Sequence, residues 1–198
     1  MIPLRVLSSV MVCLFVFLFA MNAFGQSKSL SREQMAQDID TLFSTIEEVH
    51  PDMYAAYPKQ QLDKDIDRVK SKLESSGDIF YLYKQVTPLV VKLGDGHTGI
   101  TPPYRPSVYP DLLKNVDIKF FPFSVKLTHP DIRIHVKNDY TQTQNIIPIG
   151  AQITTINNRH ANDIVQEMMN YVSGEKDFYK IVRIETLFSP LIYNFIQR

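Results

Sequence analysis

The spacing of apolar positions changes near residue 100. Before it they recur every three or four residues; after it they mostly alternate. Met35, Ile39, Leu42, Phe43, Ile46 and Val49 fall on one face of a helix beginning after Ser31. Ser31 and Gln34 fit a capping box at its start. Pro51 ends it, because proline disfavours helical geometry at the preceding His50. A second helix is predicted from Pro58 to Leu73, with Leu62, Ile66, Val69 and Leu73 as its stripe and Pro58 in its first turn. "ESSGD" breaks that helix, and Asp78 can cap a third one carrying Phe80, Tyr83, Val86, Val90 and Leu93. Pro88 lies inside this third pattern and predicts a kink or break near Thr87.

Past "GDGHTGI" the stretch "TPPYRPSVYP" reads as an extended connection. "DIKFFPFSVKL" and "DIRIHVKN" then alternate apolar and polar, with "THPD" between them as a turn. "IPIGAQITTINN" reads as a further strand opened by a turn at Gly150, and "RHANDIVQEMMNYV" as a helix burying Ile164, Met168 and Val172. A last helix is expected over residues 177–196, with Tyr179, Val182, Leu187, Leu191, Ile192 and Phe195. The fold class is α+β: a helical module over 26–100, a connection over 101–115, a smaller α/β module over 116–175 and a final helical segment over 176–198.

Composition supports a folded chain. Of 198 residues, 44% are hydrophobic, and the formal net charge is zero, without the basic excess of a nucleic-acid binder. Residues 1–25 stand apart. One charge, Arg5, precedes an apolar run from about Val10 to Ala20, and Ala23 and Gly25 follow. That is the pattern of a secretory signal peptide cleaved after Gly25. An uncleaved anchor is the alternative, although the run is short against the roughly 20 residues of a membrane-spanning helix. Cys13, the only cysteine, lies inside the apolar run after Val12 and does not read as a lipoprotein site. A chain cleaved at Gly25 therefore has no disulfide, thiol nucleophile or cysteine-based metal site.

Candidate chemistry is sparse. There is no G-x-S-x-G elbow, P-loop or H-E-x-x-H. No two of the five histidines pair at i, i+4, the spacing of a helical metal site. His129, His135 and His160 are read as structural. His50 ends a helix, where an imidazole can bond free carbonyls. His97 differs because it follows Gly94-Asp95-Gly96. Glycines permit a sharp turn that presents a side chain outward, and Asp95 is close enough to influence the imidazole of a base. The bland alternative is that Gly94 caps the helix, Asp95-Gly96 turns, and His97 merely follows.

Three segments taken together point further: "EEVHPDMY" at Glu47–Tyr54, "YKQVTPLVVKLGDGHTGI" at Tyr83–Ile100 and "IGAQITTINNRHANDIVQEMMNYVSGE" at Ile149–Glu175. Together they resemble the tail-specific, or C-terminal processing, serine peptidases, in the exported bacterial branch whose architecture is like the tricorn protease core. The resemblance implies a helical module ending in the Gly-Asp-Gly-His-Thr segment, then a PDZ-like module over 116–175. A larger α/β catalytic domain bearing the nucleophilic serine would follow, and this chain is expected to lack it. Asn158 stands where relatives more often have glycine; a turn with positive φ tolerates asparagine.

The resemblance makes His97 the candidate general base, with Asp95 and Thr98 as supporting residues. The tyrosine and proline of "HPDMY" are expected to pack. Ser173, in a loop, and Ser189, before Pro190, are not in a nucleophile setting. The expected function is that of an N-terminal part of an exported, periplasmic or extracellular, serine-type endopeptidase. It would act on peptide or protein C-termini and be inactive alone. No cofactor, metal, nucleic acid or membrane span after cleavage is expected. The alternative is a secreted peptide-binding module that uses the PDZ-like part without catalysis. A histidine-based enzyme unrelated to proteolysis would need a second catalytic group near His97, and only Asp95 is obvious.

Overall fold

The computed structural model describes residues 29–103, 121–139 and 147–196. The leader, nearly all of the expected connection and the predicted strand start at Asp117 lie outside the described residues. The described chain mixes helices with small antiparallel sheets, an α+β arrangement.

The first half is helical. A short strand β1 (Leu30–Ser31) leads into α1 (Arg32–Val49). The capping box forms as expected: Gln34 N–H donates to Ser31 Oγ (3.3 Å) and Ser31 N–H to Gln34 Oε1 (2.9 Å). Met35, Ile39 and Phe43 are buried one turn apart. Val49 is 73% exposed, so the stripe stops a turn early, at half-buried Ile46. In α2 (Lys59–Lys72) Leu62 and Ile66 are buried, and Pro58 is the extended cap rather than a first-turn residue. β2 (Ser76–Gly77) pairs with β1. α3 (Ile79–Val91) starts at Asp78, whose Oδ1 accepts from Tyr81 N–H at 2.8 Å.

Of the kink or break expected near Thr87, the break does not occur; α3 runs through Pro88 to Val91. Proline removes the N–H that would bond the carbonyl four residues back, here that of Lys84. Tyr171, from the second half, donates its hydroxyl to that oxygen across a long 3.5 Å. Eight of the thirteen residues of α3 are buried, so tertiary packing outweighs the local cost of proline.

The second half holds a three-stranded antiparallel sheet ordered β3 (Phe123–Leu127), β4 (Ile134–Asp139), β5 (Gln152–Ile153). Val125 pairs with Val136 and Leu127 with Ile134, all four buried. The single strand expected over "IPIGAQITTINN" is instead divided. Gly150 turns at φ +87°, β5 joins β4, and β6 (Thr155–Ile156) folds back on β7 (Arg159–His160). Asn157 and Asn158 form that hairpin at φ +48° and +63°. Two successive positive φ values are what a two-residue hairpin turn of the primed kind requires. β7 takes Arg159 and His160 from the expected helix, so α4 is only Ala161–Met168, followed by a 3-10 turn over Met169–Tyr171.

The last helix, α5 (Asp177–Ile196), has the expected bounds. Its buried face differs: Ile181, Ile184, Phe188, Leu191 and Ile192 are inside, while Tyr179 and Val182 are about half exposed. The side chain of Phe195 lies outside the described residues.

Buried apolar side chains form two main clusters. One joins Met35, Ile39, Phe43, Leu62, Leu82, Leu89 and Leu93; the other joins Val125, Ile134, Ile164, Met168, Ile184 and Phe188. Between them Phe80 and Tyr83 meet Ile100 and Tyr171, the two tyrosine rings 5.9 Å apart. The Gly94–Gly99 corner, which follows α3, meets the segment after α4 near this junction. No helix of the described residues is long and apolar enough to cross a membrane.

Candidate functional site

The three glycines of the corner have different reasons. Leu93 and Gly94 close the end of α3 with bonds to the carbonyls of Val90 and Val91, both 3.1 Å. Gly94 then leaves at φ +69°, a left-handed value that costs other residues about 1–2 kcal/mol. A Cβ there would also stand 2.8 Å from Ala56 Cβ. Gly96 has a negative φ and a close neighbour: its Cβ would meet Glu175 Oε2 at 3.1 Å, which that exposed side chain can relieve by shifting a few tenths of an ångström. Gly99 has ordinary room, 3.5 Å from Ser173 Oγ. These six residues spell G-x-G-x-x-G, contrary to the expectation that no such motif is present. A dinucleotide fingerprint follows a strand and opens a helix; this one follows a helix and opens none.

The corner brings Asp95, His97 and Thr98 together. Asp95 Oδ2 accepts from Thr98 Oγ1 (2.6 Å) and lies 3.1 Å from His50 Nε2. Asp95 Oδ1 accepts from His97 N–H (2.9 Å) and lies 3.3 Å from His97 Nδ1. Thr98's hydroxyl first, then the His97 amide and the two imidazoles, hold this carboxyl far below the ordinary carboxylate range. Asp95 is therefore an anion at neutral pH.

His50 plays a part that its sequence position does not reveal. Its Nδ1 accepts Asp52 N–H at 3.1 Å, which places the ring proton on Nε2, pointed at Asp95. It braces the carboxylate rather than the carbonyls of α1, and its side chain is only 12% exposed. The tyrosine of "HPDMY" also does more than pack: Tyr54 donates to Glu47 Oε1 at 2.7 Å and accepts from Lys59 Nζ at 3.0 Å.

His97 is the opposite case, with a side chain 97% exposed. Nδ1 faces the ionised carboxylate at 3.3 Å, and a ring protonated on that nitrogen would leave Nε2 turned to solvent as an acceptor. An exposed imidazole held in one tautomer can accept a proton from a bound group.

Two residues from the second half grip the corner. Gly96 N–H donates to Glu175 Oε1 at 3.1 Å, and Arg183 Nη1 donates to Gly96 O at 2.7 Å and to Ser173 O at 3.3 Å. Glu175 is stabilised as an anion by its own amide and that of Gly96, against desolvation and the like charge of Asp95. A cavity of about 270 Å³ opens beside His97, lined by Thr101, Tyr171, Ser173 and Arg183 among others. Ser173 is buried, and its Oγ makes no hydrogen bond among the described residues. Ser189 donates to Phe121 O at 3.4 Å. Neither serine bonds to His97. His129, His135 and His160 lie in a turn and two strands of the second half. No family model, curated protein or solved structure matches this chain.

Proposed function

We propose that this chain carries the general-base half of an exported serine-type peptidase of the tail-specific family. His97 is the base, and the nucleophile is a serine presented by an α/β catalytic domain. The observation that carries this reading is the His97 imidazole, almost fully exposed, with Nδ1 set 3.3 Å from an ionised Asp95.

In this reading Asp95 holds the proton on Nδ1. Nε2 takes the proton of the serine hydroxyl as its oxygen attacks the scissile carbonyl, and later returns it to the leaving amine. The Asp95 carboxylate stabilises the imidazolium formed between those steps. His50 and Thr98 fix the carboxylate and act only through it. The half-exposed apolar side chains Phe178, Tyr179 and Val182 begin α5 next to Arg183, a surface suited to meeting another domain. Export rests on the N-terminal leader.

Two measurements test the reading. Nitrogen-15 spectra of the full chain at neutral pH are expected to place the His97 proton on Nδ1; a proton on Nε2 overturns it. Peptide hydrolysis reconstituted with a serine-bearing α/β domain is expected to fall by about 10²–10⁴ in His97→Ala; a retained rate overturns it.

A second reading, peptide binding without catalysis, has its own support. β3 is an edge strand among the described residues. A cavity of about 480 Å³ lies between it and α5, lined by Phe121, Phe123, Ser124, Phe188 and Ser189. An added peptide strand would bond the edge ahead of Leu127, whose own N–H already donates to Glu185 Oε1 at 2.7 Å. Binding of hydrophobic C-terminal peptides, weakened when their carboxylate is amidated, supports this reading; absence of binding removes it.

A further inference from the structure

We propose that Asp95, His97 and Glu175 form a binding site for a divalent zinc-class metal ion, laid over the base so that metal occupancy switches it off. One ligand atom from each lies within 4.8 Å of the other two. Glu175 comes from 79 residues further along the chain than Gly96, whose amide holds it at the corner.

Asp95 Oδ1 and His97 Nδ1 are 3.3 Å apart. With zinc–nitrogen and zinc–oxygen bonds near 2.0–2.1 Å, the edge of a tetrahedron is about 3.3 Å. Two of the three donors already stand at that edge. The third, the exposed Glu175 carboxylate, would close a remaining gap of up to about 1.5 Å by rotating its side chain and lengthening or giving up its bond to Gly96 N–H. His50 and Thr98 supply the outer bonds that orient a ligating carboxylate.

The donor set points to the metal. One imidazole nitrogen with two carboxylates suits zinc and its neighbours better than magnesium or calcium, which prefer oxygen throughout. Two carboxylates neutralise a divalent ion, and three protein ligands leave a fourth position for water. Arg183 is the nearby opposing charge, and its bonds run to the Gly96 and Ser173 carbonyls rather than into the cluster.

The consequence for the base rests on the reading above. A metal on Nδ1 displaces that proton, and the neutral ring takes one on Nε2 from solvent, with no net proton released. Nε2 is then a donor and cannot accept from a serine. Zinc would inhibit by changing the tautomer.

The test titrates the full chain with Zn²⁺ by calorimetry and by nitrogen-15 spectra of His97, without substrate. One saturable site is expected, with the His97 proton moving from Nδ1 to Nε2. His97→Ala and Glu175→Gln are each expected to weaken it at least tenfold, and His50→Gln by about 10–100-fold. Both ligand side chains are exposed, so these two variants should fold; His135→Ala should bind as the parent does. Mg²⁺ is expected not to compete. Absence of saturable Zn²⁺ binding in the micromolar range overturns the site, as does binding unchanged in His97→Ala and Glu175→Gln. The metal site stands if Zn²⁺ binds as expected while the metal-free ring carries its proton on Nε2; only the base reading then falls.

Discussion

Removing the carboxylate of Asp95 tests the corner most directly. Asp95→Ala deprives four donors of their acceptor: Thr98 Oγ1, His97 N, His50 Nε2 and His97 Nδ1. They lose unequally. The His97 ring is 97% exposed and returns to water at almost no cost, while the His50 ring is 12% exposed and cannot. Hydrogen bonds to a charged group contribute about 1.5–3 kcal/mol each, and less where water replaces them. His50 and Thr98 together set the expected loss at about 2–3 kcal/mol. Urea unfolding at neutral pH measures it. Acid supplies the sign check. The Asp95 carboxyl sits far below its unfolded value, so the unfolded chain takes up its proton first as pH falls. The stabilisation is complete above the unfolded value of about 4 and is lost as pH drops from there toward the folded value. The gap between parent and Asp95→Ala is thus expected to hold from about pH 7 to 5 and to narrow below about pH 4. A gap under about 0.5 kcal/mol, the range of ordinary surface changes, or one unchanged in acid, refutes the assignment of Asp95 as the hub.

Two further changes probe the frame around it. Gly94→Ala meets both a left-handed φ and Ala56 and is expected to cost at least about 1–2 kcal/mol. Gly99→Ala meets only ordinary contact and is expected within about 0.5 kcal/mol of the parent; equal costs in thermal unfolding would contradict the distinction. Tyr171→Phe removes the hydroxyl that reaches the Lys84 carbonyl and is expected to cost about 0.5–1 kcal/mol. Pro88→Ala restores the local N–H to that carbonyl, so the tyrosine change should cost less in its background; strict additivity in a double-mutant cycle would show that the two do not share the oxygen.

What could be read from the sequence was what is decided locally. The Ser31–Gln34 box, the Asp78 cap, the Gly94 exit and the positive φ at Asn158 each depend on residues within four positions, and each is found. α5 was placed correctly, with Leu191 and Ile192 inside as named, but Tyr179 and Val182 are half exposed and Ile181, Ile184 and Phe188 take the rest of the buried face. Phe178, Tyr179, Ile181, Val182, Ile184, Leu187 and Phe188 put apolar groups on several sides, so periodicity did not select one. The sheet and α4 select Ile181, Ile184 and Phe188. The division of "QITTINNRH" into β5, β6 and β7 depends on which strand finds a partner. That α3 continues past Pro88 without a break was not legible locally, because the packing that buries it and the Tyr171 hydroxyl that reaches the freed carbonyl come from far along the chain.

The same distinction separates the site residues that could be found from those that could not. Asp95, His97 and Thr98 lie within one turn of chain, and their types suggest mutual bonding. His50 is 45 residues from Asp95, and Glu175 and Arg183 are 79 and 87 from Gly96. No spacing rule links them; only the folded junction does. This has a consequence for any chemistry at His97. The Gly96 peptide is held at its N–H by Glu175 and at its oxygen by Arg183, both from the segment between α4 and mid-α5. His97 is the next residue, so its backbone is held from both sides: through Asp95 by the first half, and through Gly96 by the second. Tethered to α3 alone, this residue would inherit the freedom of a glycine-rich turn; tied to both halves, its backbone has the preorganisation that the proposed proton transfer needs.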